Sequence, residues 1–250
     1  MRYLLSPQGA IPLEMWAGQY FERHELEFML SVLGPGMTFV DVGANVGLYS
    51  IPAAMKVRSG IVFAFEPSSS TYDQLVKNVR LNKLSNVRAV RSALADCVGE
   101  AALHVNVLGK DGLNTLGKPT HPQCEIVRKE TVRTTTLDAF LGENGITHVD
   151  AIKIDAEGAE PIVLRGATQL LARPDAPLIL FECGRLSAGF GYHPVESVWL
   201  LQDLGYSLFT LNSNDGTLSI PFLNQSQLYD MAIAIKPTHP FYPALMGRGR

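Results

Sequence analysis

No stretch of this 250-residue chain approaches the roughly 18 consecutive apolar residues that cross a bilayer, so a membrane-spanning helix is not expected. The opening residues also lack the apolar centre of a secretory leader, and a reducing cytoplasm is the expected setting. Cysteine is scarce. Cys97, Cys124 and Cys183 are an odd number without metal-type spacing, which argues against both a disulfide framework and a zinc cluster. Cys183 follows an apolar run and reads as a small buried hydrophobe. Basic residues are no surplus either: 21 Lys and Arg stand against 24 Asp and Glu, a net charge of −3, which disfavours a broad nucleic-acid-binding face. What the chain does have is apolar substance. At 46% hydrophobic it can build one large α/β core.

Another absence is more telling. Phe39, Val40 and Val42 read as a buried strand with Asp41 at its carboxyl end, and Gly43 and Gly47 bracket a tight turn into a helix. A second apolar run, Ile61 to Phe65, stops at Glu66. Strand, glycine turn, helix, strand and acid is how a doubly wound sheet binds an adenosine-containing cofactor. A dinucleotide turn, however, wants G-x-G-x-x-G. Aligned on Gly43, this chain has Asn45 and Leu48 where the second and third glycines belong. A ligand without phosphates suits the turn better, and S-adenosylmethionine is one. Backbone at Gly43 and Ala44 would pass its methionine end, Asp41 would accept from its ammonium, and Glu66 would take both ribose hydroxyls.

The rest of the chain keeps an α/β rhythm. Residues 1–36 form a lead-in, irregular over Met1–Gly18 and helical over Gln19–Leu33, where Phe21, Phe28, Met29 and Val32 make an apolar stripe. That stripe packs into the core or covers a cofactor pocket. Parallel strands are expected at 38–42, 61–66, 87–92, 149–155 and 177–182, with helices at 46–57, 69–83, 159–172 and 194–204. Gly99–Val107 and Cys124–Thr134 alternate like antiparallel strands around a long loop, Leu108–Gln123, whose length marks it as mobile or functional. Closing strands at 206–211 and 228–236 complete one domain over 37–236, and 237–250 reads as a loosely held tail.

The second cluster of chemistry is Ile152-Lys-Ile-Asp-Ala-Glu-Gly-Ala-Glu160. Asp155 and Glu157 fall at a strand's carboxyl end, where open α/β sheets bind ligands. Glu182 ends the next strand, so Asp41, Glu66, Asp155 and Glu182 are four strand-end acids. They suit a sulfonium cation, or a divalent metal held by Asp155, Glu157 and Glu182. Asp155 and Glu157 are also placed to cap the following helix, Glu160 reads equally as structural, and Lys153 is placed to pair with one of these acids.

Four motifs in order, Phe39–Gly47, Phe63–Pro67, Thr136–Leu141 and Ile152–Glu160, together resemble the FkbM-type S-adenosylmethionine-dependent methyltransferases. Asn78–Asn82 and Ser92–Asp96 fit the same pattern, and the resemblance covers roughly residues 37–182. It implies a class I methyltransferase (Rossmann-like) fold: a doubly wound, mostly parallel seven-stranded sheet with extra antiparallel strands. It implies O-methylation of a hydroxyl on a small natural product or saccharide. It assigns Asp41, Gly43, Asn45 and Gly47 to the methionine end, Glu66 to the ribose, Ser92 and Ala93 to the adenine, and Asp155 and Glu157 to the space between cofactor and acceptor, with Pro67 and Asp155 also among the cofactor-binding residues. Tyr49 would close over the sulfonium. An aliphatic hydroxyl must lose its proton, and the candidate bases are Asp155, Glu157 and His193. The alternatives are an N-methyltransferase on a small molecule, or a cofactor-binding protein without turnover. The expected partner is a small hydroxylated acceptor, with no nucleic acid or membrane, and homo-oligomerisation stays open.

Overall fold

The computed structural model describes residues 1–4, 22–106, 111–119, 125–212, 216–219 and 231–248. Residues 5–18 of the expected irregular stretch, Phe21, Cys124, residues 108–110 and 120–123 of the expected loop and residues 228–230 of the expected last strand therefore lie outside the described residues.

The central strands form because their residues are apolar on both faces, the pattern of a parallel sheet covered by helices on both sides. Strands β1 (Thr38–Val42), β2 (Ile61–Phe65), β7 (Ala151–Ile154) and β8 (Leu178–Glu182) are almost wholly buried. With β3 (Val87–Val90) they make a parallel run in the spatial order β3-β2-β1-β7-β8. β11 (Met231–Ile235) then pairs antiparallel to β8 and to β9 (Ser207–Leu211). This is the expected seven-stranded sheet. The two-residue β10 (Leu218–Ser219) adds an eighth strand at the edge.

One face of the sheet carries Phe39, Val62, Ala151, Leu178, Leu180 and Ile233. It is covered by α1 (Arg23–Val32), through Phe28, Met29 and Val32, and by α2 (Ser50–Val57), through Ala53, Ala54 and Val57. The other face carries Val40, Val42, Phe63, Phe65, Ile152 and Ile154 against α4 (Leu137–Glu143), α5 (Glu160–Arg165), α6 (Thr168–Leu171) and α7 (Glu196–Asp203). Phe140 of α4 meets Phe63 and Phe65 edge-on, with centroids 5.3 and 4.8 Å away. Helix α3 (Ser69–Leu81) links β2 to β3.

Four local expectations change. β3 stops at Val90, not residue 92. Ala93 instead opens β4 (Ala93–Leu94), which runs parallel to β6 (Ile126–Thr135) in a separate three-stranded sheet with β5 (Gly99–Asn106). The helix expected over 159–172 is broken into α5 and α6. At Gly166 the Ala95 carbonyl fills the space of a Cβ, and the Asp138 carboxylate from α4 accepts from the Gln169 and Leu170 amides at 2.8 and 3.0 Å, starting a new helix. The helix expected over Gln19–Leu33 begins at Arg23 after Glu22 in the left-handed region. Finally, within the expected tail Tyr242–Arg248 forms α8, and Leu245 is fully buried, with Phe241 and Tyr242 packed on the α1 face.

Candidate active site

Strand order reverses between β1 and β7, so their carboxyl ends lie side by side, with Asp41 opposite Lys153 and Val42 opposite Ile154. This is the crevice where open α/β sheets take ligands. Two turns leave it in contact. The Asp155 carbonyl occupies the space a Cβ on Gly43 would need, and Gly43 has φ +73°. Only glycine meets both demands. The glycine expected to admit a ligand thus admits a neighbouring strand end.

The remainder of the turn is bonded inward. Gly43 and Ala44 amides both donate to the Phe65 carbonyl at 3.1 and 2.9 Å, and the Asn45 amide donates to Glu66 Oε2 at 3.0 Å. Asn45 itself takes φ +47°, with its side-chain oxygen accepting from Val46 N at 2.7 Å. Gly47, at φ +97°, lies where a Cβ would meet Leu75 and Ile51, so it serves the packing of α2 on α3. Asn78 of α3 donates to the Val46 carbonyl at 2.9 Å and pins the turn from behind. No amide of residues 43–45 is left to cradle a phosphate.

Glu66 is buried, and its second oxygen accepts from Ser68 N at 3.0 Å across Pro67. Its carboxylate is therefore oriented before any ligand arrives. Ser92 is also buried, but its hydroxyl donates to the Arg133 carbonyl at 2.9 Å. Ser92 and Ala93 thus belong to the link into the three-stranded sheet and do not end β3, as the sequence suggested.

Below the turn, Asp41 is fully buried. Oδ2 accepts from Ser50 Oγ at 2.5 Å, while Oδ1 has no hydrogen-bond partner among the described residues and stands 3.9 Å from Lys153 Nζ. Burial pushes the Asp41 carboxyl up, against the pull of Lys153 and Ser50. Lys153 Nζ donates to Asp155 Oδ2 at 3.1 Å and to the Gly43 carbonyl at 3.2 Å, and lies 5.1 Å from the centre of the Tyr49 ring. Burial pulls this ammonium down, but Asp155, Asp41 and Glu22 together hold it above its usual range. Tyr49 donates its hydroxyl to Glu22 at 2.9 Å. That bond brings the residue preceding α1 over the crevice. Tyr49 thus roofs Lys153.

Beyond the end of β7, carboxyl groups crowd together. Glu160 Oε1 accepts from Ala156 N and Gly158 N at 2.8 and 3.2 Å, closing the turn after β7. Burial raises Glu160 to about 7. Burial, then Asp155, Glu182 and Glu160, raise Glu157 to about 10, so at neutral pH it is a carboxylic acid able to donate a hydrogen bond. Glu182 is raised by burial and by Asp155, Glu160 and Glu22. Oxygens of Asp155, Glu160 and Glu182 lie within 4.8 Å of one another, a spacing that accommodates a hard cation. Glu157, expected in that set, stands outside it, and Glu160 takes its place.

His193 does not join the cluster. Its ring is exposed and stacks on Trp199, centroids 4.8 Å apart and planes 20° from parallel.

Residues 41–208, from the strand-end acid beneath the glycine turn through β7 and β8 into β9, match the Methyltransferase FkbM domain. This chain belongs to the FkbM methyltransferase family. It is 29% identical over 155 residues to Methyltransferase sdnD of Sordaria araneosa, covering 52% of this chain and 60% of that protein. It is 26% identical over 183 residues to the 31-O-demethyl-FK506 methyltransferase FkbM of Streptomyces tacrolimicus, covering 61% and 66%. It is also 26% identical over 144 residues to the hexuronic acid methyltransferase AglP of Haloferax volcanii, covering 58% and 55%. The chain spans between 55% and 66% of the length of these curated relatives. The FkbM match takes in the turn, Glu66 and all three converging acids. Among the described residues no helix is long and apolar enough to cross a membrane.

Sequence reasoning missed Glu22, Ser50 and Asn78 as parts of this site. Ser50 lies nine residues beyond Asp41, and a hydroxyl in the first turn of the helix after a strand-end acid was a usable signal. Glu22 is separated from Tyr49 by 27 residues, and nothing local couples them.

Proposed function

We propose that this chain transfers the methyl group of S-adenosylmethionine to a hydroxyl of a small natural product or saccharide. The observation that carries the reading is the convergence, at the switch in strand order, of the inward-bonded glycine turn, the pre-oriented Glu66 and the Asp155–Lys153 pair. The donor set favours this ligand. Among the described residues, the cation paired with Asp41 and Asp155 is Lys153, already engaged, so a phosphate placed against these two acids would meet like charge. A zwitterion bearing a sulfonium fits them.

Bound S-adenosylmethionine supplies a methyl group activated by positive sulfur. Glu66 holds the ribose hydroxyls with a carboxylate already fixed by Asn45 and Ser68. Asp41 and the turn above it set the methionine end, and Tyr49 with Glu22 covers the crevice from the α1 side. Alignment of this kind supplies about 7–11 kcal/mol in favourable intramolecular cases. Asp155, paired with Lys153 Nζ at 3.1 Å, accepts the proton of the acceptor hydroxyl. Glu157 is protonated and serves as a hydrogen-bond donor to an acceptor oxygen, not as the base. A divalent cation at Asp155, Glu160 and Glu182 would lower the hydroxyl's pKa instead, so chelation separates the two routes.

The names of two relatives refer to methylation on 31-O-demethyl-FK506 and on a hexuronic acid, which supports a hydroxylated small molecule or saccharide as acceptor. The net charge of −3 supports it over nucleic acid. Calorimetric titration with S-adenosylmethionine and S-adenosylhomocysteine tests the reading. Saturable binding of both is expected; no uptake of either removes it.

A further inference from the structure

Lys153 links the two halves of the crevice through one atom. Its Nζ, buried in β7, donates to the Gly43 carbonyl at 3.2 Å on the glycine-turn side and to Asp155 Oδ2 at 3.1 Å on the acceptor side. Asp41 Oδ1 stands 3.9 Å away, and the Tyr49 ring lies 5.1 Å from the ammonium. Strand pairing fixes the arrangement, since Asp41 and Lys153 are partners across β1 and β7. No other lysine or arginine among the described residues pairs with Asp41 or Asp155. A lysine needed only to neutralise a buried acid would be complete with Asp41. This one makes its direct hydrogen bonds elsewhere, to the turn and to Asp155.

We propose that Lys153 is a positioning residue: its ammonium ties the glycine turn to the Asp155 carboxylate, and so sets the methyl end of the cofactor against the acid that faces the acceptor. The proposal rests on the S-adenosylmethionine reading. It differs from a structural role in one measurable respect. If the Lys153–Asp155 pair borders the sulfur, a cationic and a neutral sulfur feel changes in that pair differently.

S-adenosylmethionine and S-adenosylhomocysteine share every group except the methyl and the positive charge, so the ratio of their affinities reads the field at that end. Calorimetry at one pH on the whole chain provides it. Removing the ammonium in Lys153→Met is expected to raise the ratio in favour of S-adenosylmethionine by about fivefold or more, as loss of a nearby unit charge implies. Asp155→Asn is expected to lower it by a similar factor. The double variant, with neither charge, should return to within about twofold of the unsubstituted chain. Loss of affinity for both ligands by one common factor in Lys153→Met, the ratio unchanged, overturns the proposal and leaves Lys153 structural. Should Lys153→Met fail to fold, Asp155→Asn decides the matter, and an unchanged ratio in it overturns the proposal equally. If the unsubstituted chain binds neither ligand, the cofactor reading itself has failed, which is a different result.

Discussion

The carbonyl of Asp155 fills the space that a Cβ on Gly43 would occupy. Two strand ends 112 residues apart in sequence thereby meet without an intervening side chain, and the first glycine of the cofactor turn is explained by chain packing. Gly43→Ala must displace the β7 end and also place a side chain at φ +73°. The positive φ alone costs about 1–3 kcal/mol. Chemical denaturation should show at least that loss, and calorimetry should show cofactor affinity falling with it. Unaltered stability would mean the two turns do not touch in solution.

Glu66 separates binding from folding. Its oxygens accept from the Asn45 and Ser68 amides, so Glu66→Ala should weaken both fold and cofactor affinity. Glu66→Gln keeps one carbonyl oxygen but loses the charge and an acceptor. It should bind S-adenosylmethionine about tenfold or more weakly, the scale of one charge-assisted hydrogen bond. Full affinity in Glu66→Gln would remove the ribose assignment.

Asp155 and Glu157 should behave unequally. With transfer of labelled methyl groups to a hydroxylated acceptor as the readout, Asp155→Asn should lower turnover by about 10²–10⁴-fold, the worth of a positioned base. Glu157, raised to about 10 by burial and neighbouring acids, is already protonated at neutral pH. Glu157→Gln replaces one neutral donor with another and should cost far less. Equal losses would contradict the division of roles.

Stability should fall as pH rises. Glu160 and Glu22 are raised to about 7, and Glu157 to about 10, from a starting value of 4.5, each mainly by burial. Between 4.5 and those values the folded chain holds protons the unfolded chain has released, so each contribution is full below 4.5 and is lost as pH climbs through the folded value. Melting temperature measured from pH 5 to pH 9 should decline, and Glu157→Gln should flatten the decline on its alkaline side. A rise over that range would reverse the sign of the argument.

His193 offers a negative control. Exposed and stacked on Trp199, it touches none of the crevice acids. His193→Ala should leave cofactor affinity within about twofold, as surface substitutions do. Loss of turnover comparable to that of Asp155→Asn would restore it as a base.

Strands β1, β2, β7 and β8 were legible because each is a short, largely apolar run closed by a glycine or an acid, and burial on both faces leaves that signature in the residues themselves. Asp41, Glu66, Asp155 and Glu182 were legible for the same reason: a strand's end is a local event, and so is the acid that stands there. Less local features were misread. Ser92 and Ala93 lead into a second sheet because Ala93 pairs with Thr134, far along the chain. The 159–172 helix breaks because Ala95 and Asp138, from other elements, act on its middle.

By itself, the order of residues determined the fold class, the glycine turn and the row of strand-end carboxylates, since periodicity, turn chemistry and strand termini are properties of neighbours in the chain. Only the tertiary structure decided which acids converge, that Glu160 and not Glu157 joins Asp155 and Glu182, and that Lys153 bridges the two turns. Those outcomes depend on strand order and register, which bring residues from distant segments within hydrogen-bonding reach, and on burial, which sets the charge each carboxyl carries once it arrives.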